Sequence, residues 1–114
     1  MMQEAKFDVV YSEEAKSFLH RIDEKTRVKI LENIDKATKL IDPKFFKKLK
    51  GNIWEFRTLY NSKRYRILAF WDKDNKKKTL VIATHGFIKK TSKVPQKEID
   101  KANQIMKIYF EEKQ

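Results

Sequence analysis

The chain is 114 residues long and carries 27 Lys or Arg against 16 Asp or Glu, a formal charge of +11, with two Gly, two Pro and no Cys. This length fits one domain over residues 1–114; no apolar run approaches the roughly 18 residues of a membrane span, and Met1–Val10 lacks the apolar stretch of a secretory signal. Without Cys there are no disulfides, thiolate zinc sites or cysteine nucleophiles, which fits a reducing cytoplasm, and two His (20 and 85) make a multi-His metal centre unexpected, so neither metal nor cofactor is anticipated.

Lys6–Tyr11 (KFDVVY), rich in β-branched and aromatic residues, reads as a short strand. Ser12 then offers an N-cap, with Glu13 and Glu14 in the first turn, where the helix dipole favours negative charge. Ala15, Phe18, Leu19 and Ile22 recur at helical spacing. Asp23 is a second N-cap before the apolar stripe Ile30, Leu31, Ile34, Ala37, Leu40 and Ile41. Asp42-Pro43 ends that helix, because a residue before Pro is biased out of the α region.

The period then changes. Asn52–Tyr60, Lys63–Trp71 and Lys77–His85 read as three strands joined by polar turns at Asn61-Ser62 and Asp72–Lys76, connections short enough to force antiparallel pairing. Gly86 opens a basic loop, Pro95 suits the first position of a last helix, and Ile99, Ala102, Ile105, Met106, Tyr109 and Phe110 form that helix's buried face. The expected order is β-α-α-β-β-β-α, an α+β domain of two layers with an antiparallel sheet and the helices packed on one side.

The charge is unevenly placed. Residues 1–42 carry 8 basic and 9 acidic side chains and residues 94–114 carry four of each, whereas residues 43–93 hold 15 basic against three acidic, a net of +12. A folded domain gains nothing structural from such self-repulsion. The pattern points to a polyanionic partner, nucleic acid first.

A two-residue turn at Asn61-Ser62 sets Tyr60 opposite Lys63, Arg57 opposite Arg66 and Glu55 opposite residue 68. Trp54, Phe56, Tyr65, Ile67 and Ala69 then share a core face, and Glu55, Arg57, Arg64 and Arg66 share the other, with Leu59 and Leu68 between them. A directly opposed Arg pair costs up to roughly 1 kcal/mol, tolerable if an anion lies between the two or if Glu55 neutralises one. Glu55 is therefore either a salt-bridge partner on a solvated face or part of a phosphate site, where Arg forks hold non-bridging oxygens.

Two flanking segments, Phe45–Lys50 and His85–Thr91, interleave Lys with aromatics, a combination that grips a nucleic-acid backbone and stacks bases. Taken singly, Phe45, Phe46 and Phe87 are better explained by core packing. Lys76–Lys78 reads as a solvated turn that protects a strand edge. His85 is the one side chain of the middle segment that titrates near neutrality, hence an acid–base candidate, although a lone His at a strand end is more often structural; His20 reads as structural.

The runs L-K-G-N-I-W-E-F-R (49–57), Y-R-I-L (65–68), T-H-G-F-I-K-K-T (84–91) and V-P-Q-K-E-I-D-K-A (94–102) resemble the HigB-type branch of the RelE toxin superfamily, which includes phage-derived relatives. The resemblance covers nearly the whole chain. It implies a RelE-like fold and a cytoplasmic toxin of a type II toxin–antitoxin system: a metal-independent endoribonuclease that enters the ribosomal A site and cuts mRNA. Its partner would be a DNA-binding antitoxin, typically of helix-turn-helix type, with no membrane partner. By position, Arg57 and Arg66 match the family's phosphate-binding sheet arginines, Glu55 an acidic residue that some relatives use as general base, and His85 a strand-end His. Lys48 and Lys50 match backbone-gripping lysines; Arg64, Lys89 and Lys90 complete the expected RNA-binding set. One departure concerns the acid–base pair, because Phe87, which cannot exchange a proton, and a full helix follow where several members end in a catalytic aromatic or His. Two other readings of the same face are a non-catalytic RNA- or ribosome-binding module and a degenerate toxin kept for antitoxin binding and autoregulation.

Overall fold

Two residues set the hairpin at the centre of the sheet. In the computed structural model, which describes residues 4–40, 42–73 and 79–113, Asn61 and Ser62 adopt φ of 55° and 65°, the left-handed conformation at both central positions of a type I′ turn. The strands it joins, β3 (Ile53–Tyr60) and β4 (Lys63–Asp72), pair antiparallel with Tyr60 opposite Lys63, Arg57 opposite Arg66 and Glu55 opposite Leu68, the register expected from the turn length.

The other elements are β1 (Asp8–Tyr11), α1 (Glu13–Arg21), α2 (Glu24–Lys39), β2 (Phe46–Lys50), β5 (Leu80–Lys89) and α3 (Gln96–Lys113). Ser12 caps α1 by accepting from the Ala15 N–H at 3.1 Å, and Asp23 caps α2 by accepting from the Thr26 N–H at 3.1 Å. Pro95 stands directly before α3, and its carbonyl accepts from the N–H of Glu98 at 3.0 Å. The sheet order is β1-β5-β4-β3-β2, so the α1–α2 pair carries the chain from one sheet edge to the other and covers one face on the way. Among the described residues no helix is long and apolar enough to cross a membrane. Ile41 and the expected Lys76–Lys78 turn lie outside the described residues.

The domain is α+β as expected, but four features differ from the sequence reading. Phe46–Lys50, expected as a basic lead-in, is a fifth strand paired with β3, so the order gains one strand. Its FKKLK sequence has no clean alternation, and an irregularity between Lys48 and Lys50 breaks its register. The sheet is also mixed rather than antiparallel, because β1 runs parallel to β5 with Val9 opposite Val81, a pairing across the whole chain that local pattern does not reveal.

The third difference concerns the layers. Helices cover both faces rather than one, giving three layers. Ala15, Phe18 and Leu19 of α1 and Ile30, Ile34 and Ala37 of α2 pack with Phe56, Tyr65, Ile67 and Ala69 on one side. Ile99 and Ala102 of α3 pack with Ile53, Leu68, Phe70 and Ile82 on the other. The unbroken apolar run Ile67–Trp71 signals a strand buried on both faces; an alternating strand would have needed only one cover.

The strand β5 runs four residues past the expected end at His85, and a bulge re-aims its second half. Leu68 pairs with His85 but Ala69 pairs with Ala83, leaving Thr84 as the extra residue. Its carbonyl and hydroxyl are matched: Ser12 Oγ donates to the Thr84 carbonyl, and Thr84 Oγ1 donates to the Leu68 carbonyl at 3.2 Å. Before the bulge Val81 and Ala83 face α1 and α2; after it Ile88 does, while Phe87 packs on the α3 side. The bulge thus moves His85 and Phe87 onto the face that carries the arginines. Gly86 faces α1 at close range: a Cβ there would lie 2.4 Å from Phe18 Cδ2 and 2.7 Å from Ile67 Cδ1.

Candidate functional site

Three rows of side chains cross the α3-facing side of β3, β4 and β5: Glu55–Leu68–His85, Arg57–Arg66–Phe87 and Leu59–Arg64–Lys89. Strand alternation alone puts Glu55, Arg57, Arg64 and Arg66 together, and the β5 bulge adds Lys89. Glu55 and Arg66 form the floor, each 4% exposed, whereas Leu59 at the rim is 69% exposed. Glu55 Oε1 lies 3.3 Å from Nε of Arg57 and 3.3 Å from Nε of Arg66. One carboxylate therefore bridges the two opposed arginines.

The geometry is only partly satisfied. The contact at Arg66 Nε is an ion pair without hydrogen-bond alignment, and both that nitrogen and Glu55 Oε2 are buried without a hydrogen-bond partner. Arg66 Nη1 donates to the Tyr65 carbonyl at 3.1 Å, and Arg57 Nη1 to the Pro43 carbonyl at 3.3 Å. Burial pulls the Arg66 guanidinium below its usual pKa, with Glu55 opposing the shift and Arg57 and Arg64 adding to it. Lys89 is lowered in the same way, first by burial and then by Arg66, against the pull of Glu55. The cluster thus holds an excess of positive charge at close range, and a phosphate between Arg57, Arg66 and Lys89 would relieve it.

The remaining expected residues fall elsewhere. His85 is 3% exposed and lies about 10 Å from Glu55 by strand spacing, with Leu68 between them. Its Nε2 is 3.2 Å from Glu98 Oε1 and its Nδ1 is 3.1 Å from Thr84 Oγ1. Burial lowers its pKa, against the hydrogen bond to Glu98. The neutral ring, with its one N–H on Nε2, donates to Glu98, and its Nδ1 and the Leu68 carbonyl both face the single proton of the Thr84 hydroxyl. Lys48 sits opposite Trp54 on the other face of the sheet, in a groove with Trp71 and Lys73. Lys50 donates to Gln96 Oε1 at 3.3 Å, and Lys90 is exposed past the end of β5.

Sequence reasoning missed Lys47. It lies opposite Glu55 on the site face, and once Phe46–Lys50 is known as a strand, alternation from the core residue Phe46 places it there. Phe46 packs in the core, its ring 4.3 Å from that of Phe56, and Phe87 packs toward α3. No set of three or more His, Cys, Asp or Glu among the described residues could hold a metal ion.

The family model for the phage-derived protein Gp49-like family matches residues 17–107, from the middle of α1 to the last third of α3. A comparison with curated proteins gives no match. The match takes in every residue of the arginine face, and the chain belongs to the phage-derived Gp49-like family, a family of the RelE toxin superfamily type.

Proposed function

We propose that the protein is the toxin of a type II toxin–antitoxin system of the HigB kind, acting in the cytoplasm as an mRNA endoribonuclease on the ribosome. The observation that carries the reading is Glu55 held 3.3 Å from both Arg57 and Arg66 on a cationic sheet face. Glu55 Oε2, the oxygen not engaged by an arginine, takes the proton of an RNA 2′-hydroxyl. The 2′-oxygen attacks the adjacent phosphorus in line, and the bond to the 5′-oxygen breaks. Arg57 and Arg66 stabilise the charge on the phosphorane oxygens. Lys89, whose lowered pKa eases release of a proton, protonates the leaving 5′-oxygen. The products are a 2′,3′-cyclic phosphate and a 5′-hydroxyl, so DNA is bound but not cut. Arginine supplies the positive charge that a metal would otherwise bring. The partner is a DNA-binding antitoxin, of helix-turn-helix type, that covers this basic face.

A non-catalytic RNA- or ribosome-binding module is the rival reading. It gains from one observation, that His85 is engaged by Glu98 and not by the arginine cluster. Incubation of a defined mRNA with purified protein, with and without programmed ribosomes, decides between them, with EDTA in the ribosome-free arm. Discrete cuts ending in a cyclic phosphate, and lowered on the order of 100-fold by Arg66→Ala, are expected. Intact RNA in both arms, with salt-sensitive binding retained, would transfer the reading to the binding module.

A further inference from the structure

The arginine cluster opens sideways. On the β2 side of β3, hydrogen bonding continues past Phe56 only to the Arg57 N–H, which donates to the Phe45 carbonyl at 2.8 Å; beyond it no described strand pairs with β3 on that side, and a groove of about 510 Å3 runs along it toward α2. Lys29, Asn33, Lys36, Lys44, Arg57 and Arg64 line this groove, and among the described residues no Asp or Glu does. Lys29, Asn33 and Lys36 fall at i, i+4 and i+7, one face of α2. The ammonium groups of Lys36 and Lys44 each lie 5.7 Å from the centroid of the Phe45 ring, a cation–π contact that keeps both within the groove.

A second, independent feature is an unmatched polar group. Asn33 is 6% exposed; its Nδ2 donates to Thr58 Oγ1 at 3.2 Å, while its Oδ1 is buried with no hydrogen-bond partner. Asn33 lines the groove, so that oxygen is an acceptor beside it still lacking a donor.

We propose that this groove is a second nucleotide subsite, which rests on the reading of the arginine face as an RNA site. It takes the nucleotide adjoining the scissile phosphate, with Lys29, Lys36 and Lys44 on its phosphodiester and Asn33 accepting from a ribose hydroxyl or a base amino group. Continuity favours RNA as the occupant, because Arg57 and Arg64 line the groove as well as the cluster. Asn33 fits such an occupant, because a nucleotide brings both anionic oxygens for the lysines and a hydroxyl or amino donor for the amide oxygen.

The test is fluorescence anisotropy of an eight-nucleotide single-stranded RNA over a range of salt. A phosphate contact on a single strand contributes about 0.7 to the slope of log K against log salt. The double variant Lys29→Gln/Lys36→Gln is therefore expected to flatten the slope by about 1.4 and to weaken binding roughly 25-fold at 0.1 M salt. Asn33→Ala is expected to weaken binding with the slope unchanged, and Lys107→Gln, on the exposed side of α3, to change neither. An unaltered slope in the double variant, with Arg66→Ala still weakening binding, overturns the subsite and spares the RNA reading. Wild-type protein that binds no RNA overturns both. Polyglutamate binding lost in the double variant while RNA binding persists assigns the groove to an acidic protein partner and overturns the proposal.

Discussion

The sheet face toward α3 has two halves built from the same strands with opposite chemistry. Under the helix, Ile53, Leu68, Phe70 and Ile82 meet Ile99 and Ala102 in a core where Leu68 and Phe70 have no exposed surface. Two residues further along each strand, Ile53 gives way to Glu55 and Arg57, and Leu68 to Arg66 and Arg64. The covered half stabilises the fold by removing apolar area from water. The open half works against stability, with opposed arginines relieved by one carboxylate and two polar atoms left unmatched. That cost is the physical ground for the proposal that the open half is kept for a ligand.

Truncation in each half should separate the two roles. Phe70→Ala, in van der Waals contact with Tyr109 and Phe110 (ring centroids 5.3 and 5.5 Å away), is expected to lower unfolding free energy by about 3–5 kcal/mol. Denaturant titration measures this, and the fraction still folded should bind RNA as the wild type does. Arg57→Ala is expected to do the reverse. It removes a like-charge neighbour of Arg66 along with a partly exposed ion pair, so stability should stay within about 1 kcal/mol of wild type. Cleavage of ribosome-bound mRNA should fall on the order of 100-fold. A large stability loss in Arg57→Ala would show that the open half also holds the fold together.

How much of this was legible in the sequence differs between the halves. The arginine face was readable in detail because a two-residue turn fixes register and alternation does the rest: Glu55, Arg57, Arg64 and Arg66 stand where the Asn61-Ser62 turn puts them. The covered half was not, because its cover is α3, and nothing in the amphipathic pattern of a helix says which side of the sheet it takes. The signal available was the apolar run Ile67–Trp71. The bulge at Thr84 was invisible too, since one inserted residue shifts every later side chain to the other face. Strict alternation from Val81 would have put His85 and Lys89 under α1 and α2. The parallel pairing of β1 with β5 depends on packing across more than seventy residues of chain, which no local motif encodes.

His85 lies at the boundary between the halves, pinned by Glu98 of α3, and pH should reveal which half it serves. Its pKa is lowered in the folded protein, chiefly by burial, with Glu98 and Glu14 opposing and Lys101 adding to the shift. The unfolded chain takes up the proton more readily, near pH 6.5. The His85 contribution to stability is therefore full above about pH 6.5 and is lost as pH falls toward the lower folded value. Thermal melting between pH 8 and 5 should show Tm falling on the acid side, and His85→Gln should flatten that limb. An equal acid limb in the variant would mean that carboxylates alone produce it.

The smallest expected effect bears on whether the two halves are independent. Tyr109 Oη donates to Asp72 Oδ2 at 2.6 Å, clamping the C-terminal half of α3 to the end of β4, and Lys113 reaches the same oxygen at 2.6 Å. Burial, then the bond to Asp72, raises the Tyr109 pKa to about 12. Its neutral form is thus favoured by folding, and that stabilisation is full below about pH 10 and lost as pH rises toward 12. Tyr109→Phe keeps the ring against Phe70 and leaves Lys113 on Asp72, so the loss should be about 1 kcal/mol, a Tm lower by roughly 4–8 °C. Ultraviolet titration should lose the phenol that ionises near pH 12. RNA affinity should not change, because Tyr109 lies at the far end of the helix from Arg57 and Lys89. A variant that melts earlier and also binds RNA more weakly would show that α3 transmits its seating to the arginine face, and the division of the sheet into a structural half and a binding half would then be wrong.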